Sequence, residues 1–324
     1  MPLYPLLFCA GFLASLALLF FFQKLALRYN ILAKGGIPSV GGVAIGLSFL
    51  ALYFAFFPKS GLFAKEAAGI IAASLIILLS GIIDDFVELS VPAKFLFQFA
   101  ACSLLIFCGV RTRIVYIGDL ANIIITLVWV IGITNALNHL DVLDGLAAGS
   151  TVIANLAFFS IAMLNADIRS AVLSLLLIAV TLPFLLFNLP PAKMYMGNAG
   201  SHFLGFLMSA CALLISYAPL ERKVALLTPL LIFGFPIFDT AFLIFMRLKK
   251  GRSAFKKSDD HLALRFLKLG YSRPKALFFM LLLSLFLSFC AVFLCRVPNP
   301  VGIIIVALAG SVSLLVSYRM SKVY

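Results

Sequence analysis

The sequence predicts an all-α, polytopic integral membrane protein with about 11 transmembrane helices, the N-terminus outside and the C-terminus cytoplasmic. Three observations carry that reading. The 324 residues are 64% hydrophobic and 11% charged, whereas a water-soluble domain is about a quarter charged. Apolar runs of about 20 residues recur from end to end, the length a helix needs to cross about 30 Å of hydrocarbon. The Lys and Arg residues between the runs are unevenly shared between the two sides. The alternating pattern of a membrane barrel is absent.

The runs fall at 3–22, 37–57, 67–83, 93–111, 119–137, 146–163, 170–187, 201–218, 223–245, 275–295 and 301–318. With the N-terminus outside, 17 Lys and Arg lie on the cytoplasmic side and 8 outside, as the positive-inside rule requires. The first run lacks a basic leader and a small-residue cleavage site, so it is kept as a helix rather than a signal peptide. The chain reads as one transmembrane domain, 1–324, with a basic cytoplasmic loop at 246–275. Within that loop HLALRFLKLG predicts a short interfacial helix. The net charge of +13 then reflects topology, and no nucleic-acid partner is expected. The six cysteines lie in or beside apolar runs without C-x-x-C pairing and read as small buried hydrophobes.

Four polar stretches fall on the cytoplasmic side: IDDFVELSVPAK (83–94), NALNHLDVLDG (135–145), NLPPAKMYMGNAGS (188–201) and the basic segment 247–275. Together they predict one site. The adjacent carboxylates of Asp84 and Asp85 repel, and a cation or basic group stabilises them. Lys94 supplies a compact positive charge suited to phosphate, or snorkels to the interface. Asn135, Asn138, Asp141 and Asp144 recur every three residues. On a helix they form one polar stripe, which cannot face lipid. Asparagine suits a sugar or a uracil edge, and the carboxylates suit Mg²⁺. Gly145 and Gly149 predict close helix packing. His139 lies outside the stripe and reads as structural.

In the third stretch Pro190-Pro191 ends the preceding helix. Gly197 and Gly200 let backbone amides approach an anion just before a helix expected to begin at about Ser201. Lys193 reads as an anion contact or a topology charge, and His202 has no predicted partner. The basic segment carries Asp259, Asp260 and His261 among ten Lys and Arg. It would attract an anionic substrate or lipid headgroups, although positive-inside loops look like this in any case. Asp239, in FPIFDTAF, is a buried acid and a further candidate.

On these residues the chain resembles the polyprenyl-phosphate N-acetylhexosamine-1-phosphate transferases, the membrane superfamily that includes MraY and the WecA/TagO-type enzymes. The likeness runs from IPSVGGVAI (37–45) to KLGYS (268–272). GIIDDFVELSVPAKFLFQ resembles the family's GxxDD segment with its following lysine and glutamine. NALNHLDVLDGLAAG resembles its N-x-x-N-x-x-D-x-x-D-G motif, and NLPPAKMYMGNAGSHFLGF and PIFDT also match. IPSVGGVAI is closer to the WecA/TagO branch than to MraY.

The resemblance implies transfer of a sugar-1-phosphate, N-acetylglucosamine-1-phosphate or a related N-acetylhexosamine-1-phosphate, from a UDP-sugar to undecaprenyl or another polyprenyl phosphate. UMP is released, Mg²⁺ or Mn²⁺ is the cofactor, and the setting is envelope polysaccharide synthesis at the inner membrane. A homodimer is compatible with it. Asp84, Asp85, Asp141 and Asp144 would be catalytic. Lys94, Asn135, Asn138, Lys193, His261 and Arg265 would bind substrate. Asp141, Asp144 and Asn198 would hold the metal.

Three departures from the family pattern stand out. Asn198 replaces an aspartate that ligates the metal in the family. Ala263 and Leu264 replace histidines of the basic loop, where Arg265 offers a compensating charge. NILAKGG stands where Asp, Arg or His residues precede IPSVGG. They leave open a member that binds polyprenyl phosphate or a partner without turnover. An ion-coupled transporter is a third reading, against which the acids lie at helix ends rather than at mid-membrane.

Overall fold

The computed structural model describes residues 3–56, 64–217, 221–251, 253 and 260–323. Its helices are α1 (Leu3–Tyr29), α2 (Gly41–Phe56), α3 (Ala64–Val87), α4 (Val91–Phe107), α5 (Gly118–Leu140), α6 (Leu146–Leu164), α7 (Ile168–Asn188), α8 (Gly197–Leu214), α9 (Thr228–Ile232), α10 (Gly234–Lys249), α11 (Leu262–Lys268), α12 (Arg273–Leu294) and α13 (Asn299–Ser321). Every predicted apolar run has a helical counterpart. Seven of these helices are long and apolar enough to cross a membrane, or eight if the bent pair described below is one span. Helices α2 and α4 are apolar but shorter, at 16 and 17 residues. A two-residue antiparallel ladder, β1 (Ala33–Lys34) with β2 (Ile37–Pro38), joins α1 to α2.

Helix α8 is the axis of the bundle. Residues 199–212 are buried without interruption, with α2, α3 and α5 packed around them. Between membrane helices lipid offers no hydrophobic drive, so close backbone approach supplies the attraction. Glycines provide it here. A Cβ on Gly42 would stand 2.1 Å from the Gly200 nitrogen, and one on Gly81 2.5 Å from the Ala199 Cα. The outer helices show the opposite pattern. Ile303, Ile304 and Leu314 of α13 are exposed, as side chains facing lipid tails should be.

The predicted continuous span 223–245 is corrected by the structure. A 3₁₀ turn at Lys223–Leu227 leads into α9, and the chain bends by 71° before α10. Gly234 and Pro236 favour the break, since both weaken a continuous helix and proline fits without cost in the first turn of α10. The predicted interfacial helix is α11. Residues 252 and 254–259 of the basic loop, Asp259 among them, lie outside the described residues.

Candidate active site

Among the described residues the adjacent carboxylates of α3 turn to different partners. Glu88, with φ +47°, reverses the chain after α3, and Pro92 opens the first turn of α4. This brings Lys94 back over Asp84. Lys94 Nζ lies 2.7 Å from Asp84 Oδ2, and the Leu89 amide donates to Asp84 Oδ1 at 2.7 Å. Asp84 is buried, so its charge is held by the lysine and by that amide. Asp85 turns toward α8, where it accepts the amides of Asn198 at 2.7 Å and Ala199 at 3.0 Å. The predicted anion at this helix N-terminus is therefore a side chain of the protein itself. The helix begins at Gly197, four residues earlier than the expected Ser201. Gly200 serves close packing on Gly42 rather than an anion.

The predicted polar stripe is also corrected. Helix α5 stops at Leu140, and 141–145 form turns closed by Gly145 at φ +80°, a conformation glycine adopts without strain. Asn135 and Asn138 thus sit on the last turns of a helix, and Asp141 and Asp144 on a loop. Asn135 forms an amide pair with Gln98 of α4, donating to its Oε1 at 2.7 Å. Asn138 donates to Asn198 Oδ1 at 3.0 Å and to Ser201 Oγ at 2.9 Å. The stretches holding Asp85, Asn138 and Asn198 are therefore hydrogen-bonded in series.

Asn188, at the end of α7, fixes the loop that follows. Its Oδ1 accepts the Gly145 amide at 2.9 Å and its Nδ2 donates to Met194 O at 2.9 Å. The Ala192 amide then reaches Asp144 Oδ2 at 3.3 Å, and Arg273 of α12 approaches the same oxygen at 3.5 Å. Lys193 is exposed beside it, its backbone amide donating to Phe187 O at 2.7 Å.

The basic segment contributes one histidine and a lock. Asp239 Oδ2 lies 2.9 Å from His261 Nδ1, while Asp239 Oδ1 accepts the Leu262 amide at 2.9 Å. The His261 ring stands 6.4 Å from that of His139, centroid to centroid. Arg265 is fully buried and points elsewhere. It donates to Asp260 Oδ1 at 2.7 Å and to Met320 O at 2.8 Å, with Val323 O also accepting. Its guanidinium lies 5.3 Å from the Phe242 ring centre. The predicted substrate contact at Arg265 is thus engaged in tying α11 to the end of α13. Burial works against the Asp260 charge, but hydrogen bonds from Lys250 and Arg265 outweigh it and hold the carboxyl below its ordinary 3.8.

Asp141 differs from the other acids. Among the described residues no donor or cation pairs with it. Burial first, and then the Asp85 and Asp144 carboxylates, push it up to about 7. No three His, Cys, Asp or Glu side chains among the described residues converge tightly enough to enclose a metal ion. The donors fit Mg²⁺ nonetheless: they are all oxygens, and this ion is commonly held by one or two carboxylates together with substrate phosphates.

Sequence reasoning read His139 as structural, gave no individual role to Arg273 or Asn188, and found no partner for His202. His202 is buried beside the Asp84–Lys94 pair, with Nε2 unpaired among the described residues. Gln98 was legible only as the glutamine of the motif, four residues after Lys94 and so on the same helix face.

Residues 67–216 match the family described as "Glycosyl transferase family 4". A probable undecaprenyl-phosphate N-acetylglucosaminyl 1-phosphate transferase of Bacillus subtilis is 32% identical over 266 residues, covering 79% of this chain and 73% of that protein. A decaprenyl-phosphate N-acetylglucosaminephosphotransferase of Mycobacterium tuberculosis is 32% identical over 272 residues, covering 74% and 67%. A phospho-N-acetylmuramoyl-pentapeptide-transferase of Streptococcus thermophilus is 32% identical over 204 residues, covering 56% and 60%. With 32% identity to the Bacillus subtilis protein over most of both chains, this chain belongs to the superfamily of these relatives, the polyprenyl-phosphate N-acetylhexosamine-1-phosphate transferases.

Proposed function

We propose that this protein transfers N-acetylglucosamine-1-phosphate, or a closely related N-acetylhexosamine-1-phosphate, from a UDP-sugar to polyprenyl phosphate and releases UMP. A phosphate oxygen of the lipid forms the new bond to the β-phosphorus of the donor, the bond from that phosphorus to the bridging oxygen breaks, and UMP leaves with the electron pair. The observation that carries this reading is the convergence of Asp85, Asn138, Asp141 and Asn198 from three separate stretches, beside the Asp84–Lys94 pair. Both substrates are anionic, so positioning and charge neutralisation supply most of the rate.

Asp84 orients Lys94, whose ammonium binds phosphate. Asp85 holds the α8 N-terminus and so places Asn198. Asn138 and Asn135 present amides to the nucleotide or sugar. His261, oriented by Asp239, contacts the diphosphate, and Lys193 adds a positive charge at the entrance. Asp141 and Asp144, with the Asn198 carbonyl oxygen, would hold Mg²⁺ or Mn²⁺, which screens the two phosphates from each other. We place this site on the cytoplasmic face of the inner membrane, in an eleven-span arrangement with the N-terminus outside, and take a homodimer as compatible with it.

The test is UMP release by purified protein with undecaprenyl phosphate and a panel of UDP-sugars. Release with one sugar that stops on adding chelator is the expected result. Asn198 favours a second reading, a lipid-phosphate-binding member without turnover. Folded protein that binds polyprenyl phosphate but releases no UMP with any sugar would establish that reading instead.

A further inference from the structure

The end of the bundle remote from these acids holds a cavity of about 710 Å³, within the range of ordinary small-molecule sites. It lies between the first turns of α3 and α7, the middle of α5, the segment 109–116 after α4, residues 212–217 at the end of α8, and residues 222–230. Apolar side chains form much of its wall, Ile125, Trp129, Leu213 and Leu230 among them.

The rim is cationic. Arg111, Arg113, Arg169, Arg222 and Lys223 line it, against Glu66 and Asp167. The two acids do not balance the five cations. Glu66 is shared between Arg113 at 3.5 Å and Arg169 at 3.8 Å. Asp167 caps α7, accepting from the Ser170 amide at 3.2 Å and its hydroxyl at 2.6 Å. Arg111 pairs with Asp119, which is 82% exposed. Among the described residues Arg222 and Lys223 neutralise no carboxylate: Arg222 donates to the Cys295 carbonyl, and Lys223 lies over the Tyr116 ring. Arginines with an apolar wall behind them, at the end of a membrane bundle, match a molecule with an anionic head and a hydrocarbon tail.

We propose that this cavity is a binding site for an anionic phospholipid of the phosphatidylglycerol type. Its phosphodiester is held by the rim cations, and one acyl chain lies against Trp129. Cationic side chains near a membrane surface select such headgroups over zwitterionic ones. The site is distinct from the transferase centre, and its existence does not depend on the reaction proposed above.

Trp129 is the one tryptophan of the chain, so the protein carries its own probe. The full-length protein is placed in nanodiscs, and Trp129 fluorescence is measured with brominated phosphatidylglycerol or brominated phosphatidylcholine at equal mole fraction. Excess quenching by the anionic lipid is expected. Its apparent affinity should fall about fivefold with each cation removed in Lys223→Gln and Arg113→Gln. Both side chains are exposed, and unchanged thermal melting would show that the variants fold. Equal quenching by the two lipids would overturn the site, as would an excess that survives both substitutions. Two competitors identify the occupant. Unbrominated phosphatidylglycerol should restore the fluorescence, and glycerol phosphate without a chain should not. Full displacement by glycerol phosphate would make this a soluble-anion site, and displacement at lower concentration by polyprenyl phosphate than by phosphatidylglycerol would make it an isoprenoid site. Either result overturns the phospholipid assignment.

Discussion

Asp85 of α3 accepts the backbone amide of Asn198 at 2.7 Å, so a carboxylate from one helix closes the N-terminus of another. The first amides of a helix have no partner within it, and its dipole favours negative charge there. Asp85→Asn removes the charge and one acceptor. We expect it to lower stability by about 1–2 kcal/mol and to loosen the position of Asn198, so that transfer falls as well. Thermal melting and UMP release on the same sample check this. Loss of transfer at unchanged melting temperature would assign Asp85 to the chemistry alone.

Asp141 should behave in the opposite way. No described group pairs with its carboxylate, while burial and two neighbouring acids oppose its charge. Asp141→Asn therefore removes an unfavourable charge. The expected outcome is a melting temperature equal to or above that of the natural protein without added Mg²⁺, together with loss of transfer by at least about a hundredfold. A fall in stability would show that this acid has a structural partner.

Asn198 stands where relatives of this superfamily are expected to carry an aspartate. Its Oδ1 already accepts from Asn138, a bond an aspartate oxygen can also accept. Asn198→Asp should keep that bond, add one charge to the Asp85–Asp141–Asp144 group, and tighten Mg²⁺ binding. Titration of Mg²⁺ against UMP release measures it. Weaker binding in the variant would mean that the cluster has adapted to asparagine.

The membrane class, the helical segments and the motif residues were legible in the sequence because apolar length and polar residues in apolar surroundings are local properties. The break at Phe233 was less so: Gly234 and Pro236 are visible, but the apolar run passes through them without interruption. The three-residue repeat of Asn135 to Asp144 looked helical. Gly145, which was read for packing, also turns the chain and moves Asp141 and Asp144 off the helix. Arg265 was read through its charge, and only the fold brings the α13 carbonyls to it. The Asp85 cap was equally hidden, since it joins residues more than a hundred positions apart.

Asp239 holds His261 by Nδ1 at 2.9 Å and anchors the same turn through the Leu262 amide. A carboxylate on Nδ1 fixes the orientation of the ring, and a phosphate oxygen can accept only from an Nε2 that carries hydrogen. Asp239→Asn keeps the size and one acceptor but loses that control. We expect kcat to fall by at least about tenfold with KM changed far less. His261→Gln should lose activity without further loss in the double variant, because the two residues act as one unit. Additive losses would separate them.

The lock between the basic segment and α13 should be sensitive to acid. Asp260 is held below 3.8 by Lys250 and Arg265. A depressed carboxyl stabilises the fold at pH above its unfolded value, and that contribution disappears as the pH falls through the lower, folded value. Melting temperature should therefore be insensitive to Asp260 between about pH 5 and 7 and decline below about pH 4. Asp260→Asn leaves Arg265 buried with only carbonyl partners, at a cost on the order of 3 kcal/mol near neutral pH. The difference between variant and natural protein should close as the pH is lowered. Limited proteolysis within α11 gives a second readout, because release of Arg265 from the α13 carbonyls frees that helix. If Arg265→Lys, which keeps the charge but not the planar fork, melts normally and only raises KM for the UDP-sugar, then Arg265 serves the substrate and the lock is secondary.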